Sequence, residues 1–273
     1  MVDSELDLVL VFNGAIYNYR ELRRELASHG YPFRTQGDTE VVLAAYHAWG
    51  ADCARRLNGI FAFAVWDAAR ESLFLARDPL GARGLAYYAD VRRFVAASDI
   101  KQILAHPTVR PELNEAKVAQ YLAVQWEDQE QTFYQSIFYC PPAHCMLVTR
   151  DSLRKWRYWD LDPGRRLPYG SDAEYAEAFL ALLDDAVDCR MRSAHKIGVS
   201  LSGGLDSAAV TALAAGGLAF LTASNRAAML STSFSVGKLT LPMGTCKLAV
   251  LSTRNSTRPA LASSIRRGSD SRS

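Results

Sequence analysis

The chain has 273 residues, 49% of them hydrophobic, and a formal net charge of only +2, which is enough apolar material for one large or two ordinary globular domains. Nothing in that balance points to a nucleic-acid or membrane partner: no apolar run is long enough to span a bilayer, and residues 1–5 are acidic and polar, so a cytoplasmic protein is the default expectation. The five cysteines, Cys53, Cys140, Cys145, Cys189 and Cys246, are odd in number and dispersed, which argues against a disulfide framework.

Residues 6–12 form a nearly continuous apolar run ending in Asn13-Gly14, which taken alone reads as a strand entering a turn. Asn18 and Glu21 read as a capping pair for a helix with Leu22, Leu26 and Ala27 on one face and Gly30 at its end. Gly37-Asp38-Thr39-Glu40 opens a second helix, with Val42, Leu43, Tyr46 and Trp49 at helical spacing and Gly50 as its stop. By itself Asp38 is then an N-cap. Residues 60–66 and 72–76 are strand-like and joined by a polar turn, which makes a hairpin, and short strands follow at 85–88 and 94–97. Helices are expected from Ser98 and over 113–121, and a strand over 146–148. Cys140 and Cys145 flank Pro141-Pro142-Ala143-His144, but no second Cys/His pair stands at zinc spacing, so the segment reads as a loop before a strand and no metal site is assigned. Hairpins and helices in this order suggest an α+β layered domain.

Residues 163–170 are rich in Pro, Gly and charge and make the best linker. Ser171 and Glu174 form a capping box for a long helix reaching about Arg192, with Tyr175, Phe179, Leu182, Leu183 and Ala186 on one face. Residues 197–201 read as a buried strand, followed by Ser202-Gly203-Gly204-Leu205-Asp206-Ser207 and a helix opening at 207–213. The free N–H groups of a helix start attract anions. The two glycines allow close backbone approach to an oxyanion, while Ser202 and Ser207 add hydroxyl donors. Asp206 would repel a phosphate and so reads as holding the loop or a metal. No lysine follows Gly204, which excludes a Walker A motif. From Gly216 onward the composition changes, with 17 Ser or Thr in 58 positions, no Glu, and 8 basic residues against 1 acidic. The expectation for 216–273 is a disordered or out-of-family tail.

Several segments, in this order, carry a family resemblance: Phe12-Asn13-Gly14-Ala15-Ile16-Tyr17-Asn18, Glu21-Leu22-Arg23, Gly37-Asp38-Thr39-Glu40-Val41, Leu57-Asn58-Gly59-Ile60-Phe61-Ala62-Phe63-Ala64, Ala76-Arg77-Asp78-Pro79-Leu80-Gly81, Ala97-Ser98-Asp99-Ile100-Lys101, and Val199 through Ser207. Together they resemble the glutamine-hydrolysing asparagine synthetases. The resemblance implies a four-layer αββα class II glutaminase sandwich over 1–165. After it, at 171–215, comes the first strand, loop and helix of an α/β ATP pyrophosphatase-like domain. It implies an ATP-dependent carbon-nitrogen ligase that makes L-asparagine from L-aspartate and L-glutamine through β-aspartyl-AMP, with Mg2+ accompanying ATP and no permanent cofactor. Its partners are then small molecules, with neither nucleic acid nor membrane, and a homodimer stays open.

Residue by residue, the resemblance assigns Asn13 and Gly14 to an oxyanion hole and Asn13, Gly14, Ala15 and Asp38 to glutamine, with Asp38 on its α-amino group. It assigns Leu201, Ser202, Gly203, Gly204, Leu205, Asp206 and Ser207 to ATP. Three departures accompany it. The family nucleophile is an N-terminal cysteine, and the first cysteine here is Cys53, so no catalytic residue is assigned. The Arg-Leu-Ser-Ile segment that fixes the glutamine carboxylate has no counterpart, and Ala15 stands where the family usually has glutamate. The resulting expectation is a fragment or degenerate member that is inactive by itself. Alternatives are a relative that closes a β-lactam or forms a peptide amide, and a non-enzymatic binding or dimerisation module.

Overall fold

The computed structural model describes residues 1–125, 128–192, 197–202, 204–224, 230–241 and 244–255, with side chains through residue 216. The chain divides into two units, Met1–Arg166 and Leu167–Ser273.

The first unit holds two antiparallel sheets. Strands β1 (Val2–Asp3), β2 (Leu8–Ile16), β3 (Gly59–Asp67), β4 (Ser72–Arg77), β8 (His144–Val148) and β9 (Leu153–Arg157) form a six-stranded sheet in the order β1-β2-β3-β4-β8-β9. Strands β5 (Ala86–Ala89), β6 (Phe94–Ala97) and β7 (Ile137–Tyr139) form a second, in the order β6-β5-β7. The helices are α1 (Tyr19–Ser28), α2 (Asp38–Trp49), α3 (Cys53–Arg56), α4 (Ile100–Leu104) and α5 (Glu115–Leu122).

The two-residue side-chain period of these strands sorts their apolar residues into separate cores. Phe61, Phe63 and Val65 of β3, Phe74 and Ala76 of β4, and Cys145 of β8 share one core with Leu22 and Leu26 of α1 and residues 41–46 of α2. The alternate residues, Ala62, Leu75 and Met146, meet Leu85, Tyr87 and Phe94 from the region of the second sheet. On that sheet's other face, Ala86, Tyr88 and Ile137 pack with Ile103 of α4. Helix, sheet, sheet and helix thus stack in four layers, as the resemblance implies. Phe74 sits in the centre of the first core with no exposed surface, where truncation to alanine would cost about 3–5 kcal/mol.

Local sequence explains most boundaries, with three corrections. Asn13-Gly14 makes no turn: β2 runs through it to Ile16, with Asn13 opposite Ala62 and Gly14 opposite Phe61 in β3. Asn18 stands at the N-cap of α1 but makes no capping bond; its amide bridges instead to the Arg56 carbonyl at 2.9 Å and the Asn58 N–H at 2.9 Å. Asp38 is the first residue of α2 rather than its cap, a position taken by Gly37. Helix α2 stays regular because residues 41–46 are all buried, and its end at Gly50 has φ 56°, a left-handed value that glycine tolerates.

The second unit contains α6 (Asp172–Arg190), β10 (Gly198–Leu201), α7 (Leu205–Ser224), β11 (Leu230–Leu241) and β12 (Gly244–Asn255), with the strands antiparallel in the order β10-β12-β11. Ser171 caps α6 by accepting the Glu174 N–H at 3.3 Å, while the Glu174 carboxylate turns to the Gly170 N–H at 2.8 Å. The expected apolar face of α6 is not covered among the described residues: Phe179 is 66% and Leu182 71% exposed, and only Val187 is buried on the helix. The change of composition at Gly216 ends no element, since α7 continues to Ser224 and a long hairpin of β11 and β12 follows.

Candidate functional site

The end of β2 gathers most of the residues singled out in the first unit. Asn13 Nδ2 donates to Ser98 Oγ at 3.2 Å, joining residues 85 apart in sequence. Three residues on, the Ile16 N–H donates to Asp38 Oδ2 at 3.0 Å, which fastens the first turn of α2 to the strand. Asp38 Oδ1 has no partner among the described residues. Asn13, Gly14, Ala15 and Asp38 are therefore brought to one strand end.

Close backbone contact fixes that end. A Cβ on Gly14 would lie 2.2 Å from the Ile60 carbonyl oxygen, and one on Gly59 would lie 2.2 Å from the Ala15 carbonyl oxygen. Neither position accepts a side chain without moving main chain. A Cβ on Gly84 would likewise meet the Ser98 carbonyl oxygen at 2.4 Å, so the loop after β4 presses on the segment that carries the Asn13 partner.

Asp78 organises that loop. Its buried carboxylate accepts N–H groups from Phe61 (3.3 Å), Leu80 (3.1 Å), Ala82 (2.9 Å) and Arg83 (3.0 Å). Arg77 clamps the same loop through three carbonyls, those of Arg83 (2.7 Å), Cys140 (2.6 Å) and Gly81 (2.8 Å). Glu40 does the same before α2: only 1% exposed, it accepts the Arg34 and Thr35 N–H groups and the Thr35 hydroxyl. Burial opposes its charge, but the bonds from Thr35 and Arg34 prevail and hold its carboxyl below the ordinary value. The roles of Ser98, Asp78 and Glu40 are not marked by residue type. Each lies inside a segment of the family pattern, which is the one signal that could have found them.

In the second unit, Ser202 and Gly204 lie in the turn between β10 and α7, and Leu201 ends the strand. Ser202 Oγ and Ser207 Oγ stand 3.0 Å apart, Ser207 Oγ donates to the Gly204 carbonyl at 3.2 Å, and the Gly204 N–H reaches Ser202 Oγ at 3.4 Å. Helix α7 begins at Leu205, two residues earlier than expected, which places Asp206 and Ser207 in its first turn. The serine hydroxyls hold the loop, and the Asp206 carboxylate has no partner among the described residues. Gly203 lies outside the described residues.

The thiols of the first unit are all interior. Cys53, Cys140 and Cys145 are buried, and burial pushes each pKa up, that of Cys140 to about 12. Such thiols are poor nucleophiles. The His144 ring lies 2.8 Å from the Pro142 carbonyl oxygen and begins β8, as the loop reading expects.

Comparison with known proteins agrees with this layout. The glutamine amidotransferase domain family matches residues 1–159, and the asparagine synthase family matches residues 178–238. The second match passes Gly216, so the likeness does not stop where the composition changes. Asparagine synthetase [glutamine-hydrolyzing] 3 of Bacillus subtilis (strain 168) is 38% identical over 208 residues, covering 76% of this chain and 34% of that protein. A putative asparagine synthetase [glutamine-hydrolyzing] 2 of Methanocaldococcus jannaschii is 34% identical, covering 76% of this chain and 41% of its own length. Amidase chyE of Penicillium rubens is 31% identical over 217 residues, with 78% and 31% covered. The chain thus spans about a third of the length of these curated relatives. Among solved structures, glutamine PRPP amidotransferase from B. subtilis aligns over 79% of this chain and 45% of its own, at 16% identity and a TM-score of 0.40.

Proposed function

The chain belongs to the glutamine-hydrolysing asparagine synthetase family, and from that premise we propose that its first unit is a glutamine site and its second the start of an ATP-dependent amide-forming synthetase. The reading is carried by the grouping of Asn13, Gly14 and Asp38 at the end of β2.

In this reading glutamine places its α-ammonium on Asp38 Oδ1, the oxygen that Ile16 leaves free. Its carboxamide lies against Asn13 and Gly14. An amide nitrogen has two protons to donate, and one of those on Asn13 is directed at Ser98. The other, with the Gly14 N–H, would face the oxyanion that forms when a nucleophile attacks the carboxamide carbon. Collapse of that intermediate expels ammonia. The thiols of Cys53, Cys140 and Cys145 are buried and held protonated, which does not suit the attack, and in this reading the first unit binds glutamine without hydrolysing it.

For the second unit we propose that residues 201–207 grip the pyrophosphate end of ATP. The hydroxyls of Ser202 and Ser207 and the N–H groups at the start of α7 suit an anion, and the Asp206 carboxylate, without a partner among the described residues, suits the Mg2+ that accompanies a polyphosphate. The complete family reaction would then convert L-aspartate to L-asparagine through β-aspartyl-AMP. Ala15, where the family usually has glutamate, favours a second reading, a relative with a degenerate glutaminase whose synthetase closes a β-lactam or forms a peptide amide.

The deciding experiment is calorimetric titration of the purified chain with L-glutamine, alongside an ammonia assay. The expected result is binding that Asp38→Asn weakens about tenfold, by loss of one charge-assisted contact, with ammonia at the level of a blank. Unchanged affinity in Asp38→Asn, or ammonia above the blank, would overturn the reading.

A further inference from the structure

A cavity of about 560 Å3 lies at the other end of the helical layer, lined among others by Asp3, Leu26, Tyr31, Arg34, His47 and Trp49. Asp38 opens α2, and the residues of that helix that line the cavity begin at Ala44, so at 1.5 Å per residue the cavity starts roughly 9 Å along the helix from Asp38. Nothing in the glutamine or ATP reading uses this cavity.

Its wall contains a carboxylate short of donors. Asp3 is only 9% exposed, and its Oδ1 accepts the Glu5 and Leu6 N–H groups at 3.1 and 3.2 Å. Among the described residues Oδ2 has one long contact, from the Tyr31 hydroxyl at 3.4 Å. A buried anionic oxygen so poorly satisfied favours an added donor. The other carboxylate of the lining, Glu5, is paired with Arg34 at 2.8 Å, which leaves Asp3 as the lining carboxylate without an ion pair among the described residues.

Aromatic surface surrounds that charge. The rings of Tyr31 and His47 meet at 6.4 Å between centroids and 54° between planes, and Trp49 already carries the Arg56 guanidinium 4.1 Å above its ring. Such ring faces attract cations. Burial and the Asp3 charge push Tyr31 up to about 12, so its hydroxyl stays neutral. The apolar and aromatic lining from Leu26, Tyr31 and Trp49 beside one carboxylate suits an organic cation.

We propose that this cavity binds a small primary ammonium compound with an apolar body, its ammonium on Asp3 Oδ2 and its body against Leu26, Tyr31 and Trp49.

The test uses the purified chain and two probes of equal shape, benzylamine and benzyl alcohol, followed by two-dimensional NMR titration. The amine is expected to shift resonances of residues 3, 31, 47 and 49 and to bind about tenfold more tightly than the alcohol, as one charge-assisted hydrogen bond requires. Asp3→Asn should erase that difference while leaving the alcohol unaffected. Tyr31→Phe, which keeps the carboxylate and removes its single long donor, should preserve the preference for the amine and covers the case in which Asp3→Asn does not fold. Equal binding of both probes, binding of neither, shifts confined to other residues, or a preference that survives in Asp3→Asn would overturn the proposal.

Discussion

Asn13 of β2 and Ser98, the residue that follows β6, meet through a hydrogen bond of 3.2 Å that ties a strand of the six-stranded sheet to the three-stranded one. The bond sets the rotamer of the Asn13 amide, which is what a preorganised oxyanion donor needs. Asn13→Ala is expected to weaken glutamine binding about fivefold, the worth of one net hydrogen bond. Ser98→Ala should weaken it less, because the donor remains and only its support is lost. Calorimetric titration of the three proteins checks the order, and an equal or larger loss in Ser98→Ala would contradict it.

Gly14→Ala and Gly59→Ala should each destabilise the first unit by about 1–3 kcal/mol or more, as overpacking against main chain does. Both new methyl groups would sit 2.2 Å from a carbonyl oxygen. Urea midpoints at pH 7 measure the effect. Gly37→Ser, at a position with open space around it and with a residue favoured at the N-cap of α2, is the control and should shift the midpoint little.

Glu40 predicts an acid dependence. Its carboxyl titrates below its ordinary value of 4.5 in the folded protein, so the unfolded chain takes up the proton first. The stabilisation is therefore complete above pH 4.5 and is lost as pH falls through the folded value. Glu40→Gln should cost about 1–3 kcal/mol at pH 7 through its unsatisfied partners, and the gap to the parent protein should shrink below pH 4.5. Urea melts across that range would show a constant gap if the carboxylate did not matter.

Thiol reactivity should divide by environment. Cys53, Cys140 and Cys145 are buried with raised pKa values, whereas Cys189 is partly exposed. Iodoacetamide at pH 8 is expected to label Cys189 well before the other three, as read by peptide mass spectrometry. Early labelling of Cys53, Cys140 or Cys145 would reopen the question of a thiol nucleophile inside this unit.

Legibility in the sequence followed how local the physics was. The β3–β4 hairpin and the burial of α2 were plain because alternation and helical spacing are properties of neighbouring residues. Strands β1, β7 and β9 were not anticipated: β1 and β7 have only two and three residues, and β9 carries three basic residues in five, so each exists through its pairing partner. Asn13-Gly14 misled for the same reason: the dipeptide favours a turn alone, yet pairing with Ala62 and Phe61 keeps it extended. The site residues were named from family order, but their supports at Ser98, Asp78 and Glu40 depend on contacts that only the fold creates. The apolar stripe of α6 was correctly periodic and still does not face a core among the described residues, because periodicity says which residues share a face and not what lies opposite.

The glycine pair on β2 and β3 also restricts how the two strands can align. Gly14 stands opposite Phe61 and Ile16 opposite Gly59. A slip of one residue would bring Asn13 or Ala15 to the place of Gly14, where the first side-chain atom meets the carbonyl of Ile60. Two missing side chains thereby act as a ratchet tooth: they disfavour the neighbouring alignments and so set the height on the sheet at which the Asn13 amide stands.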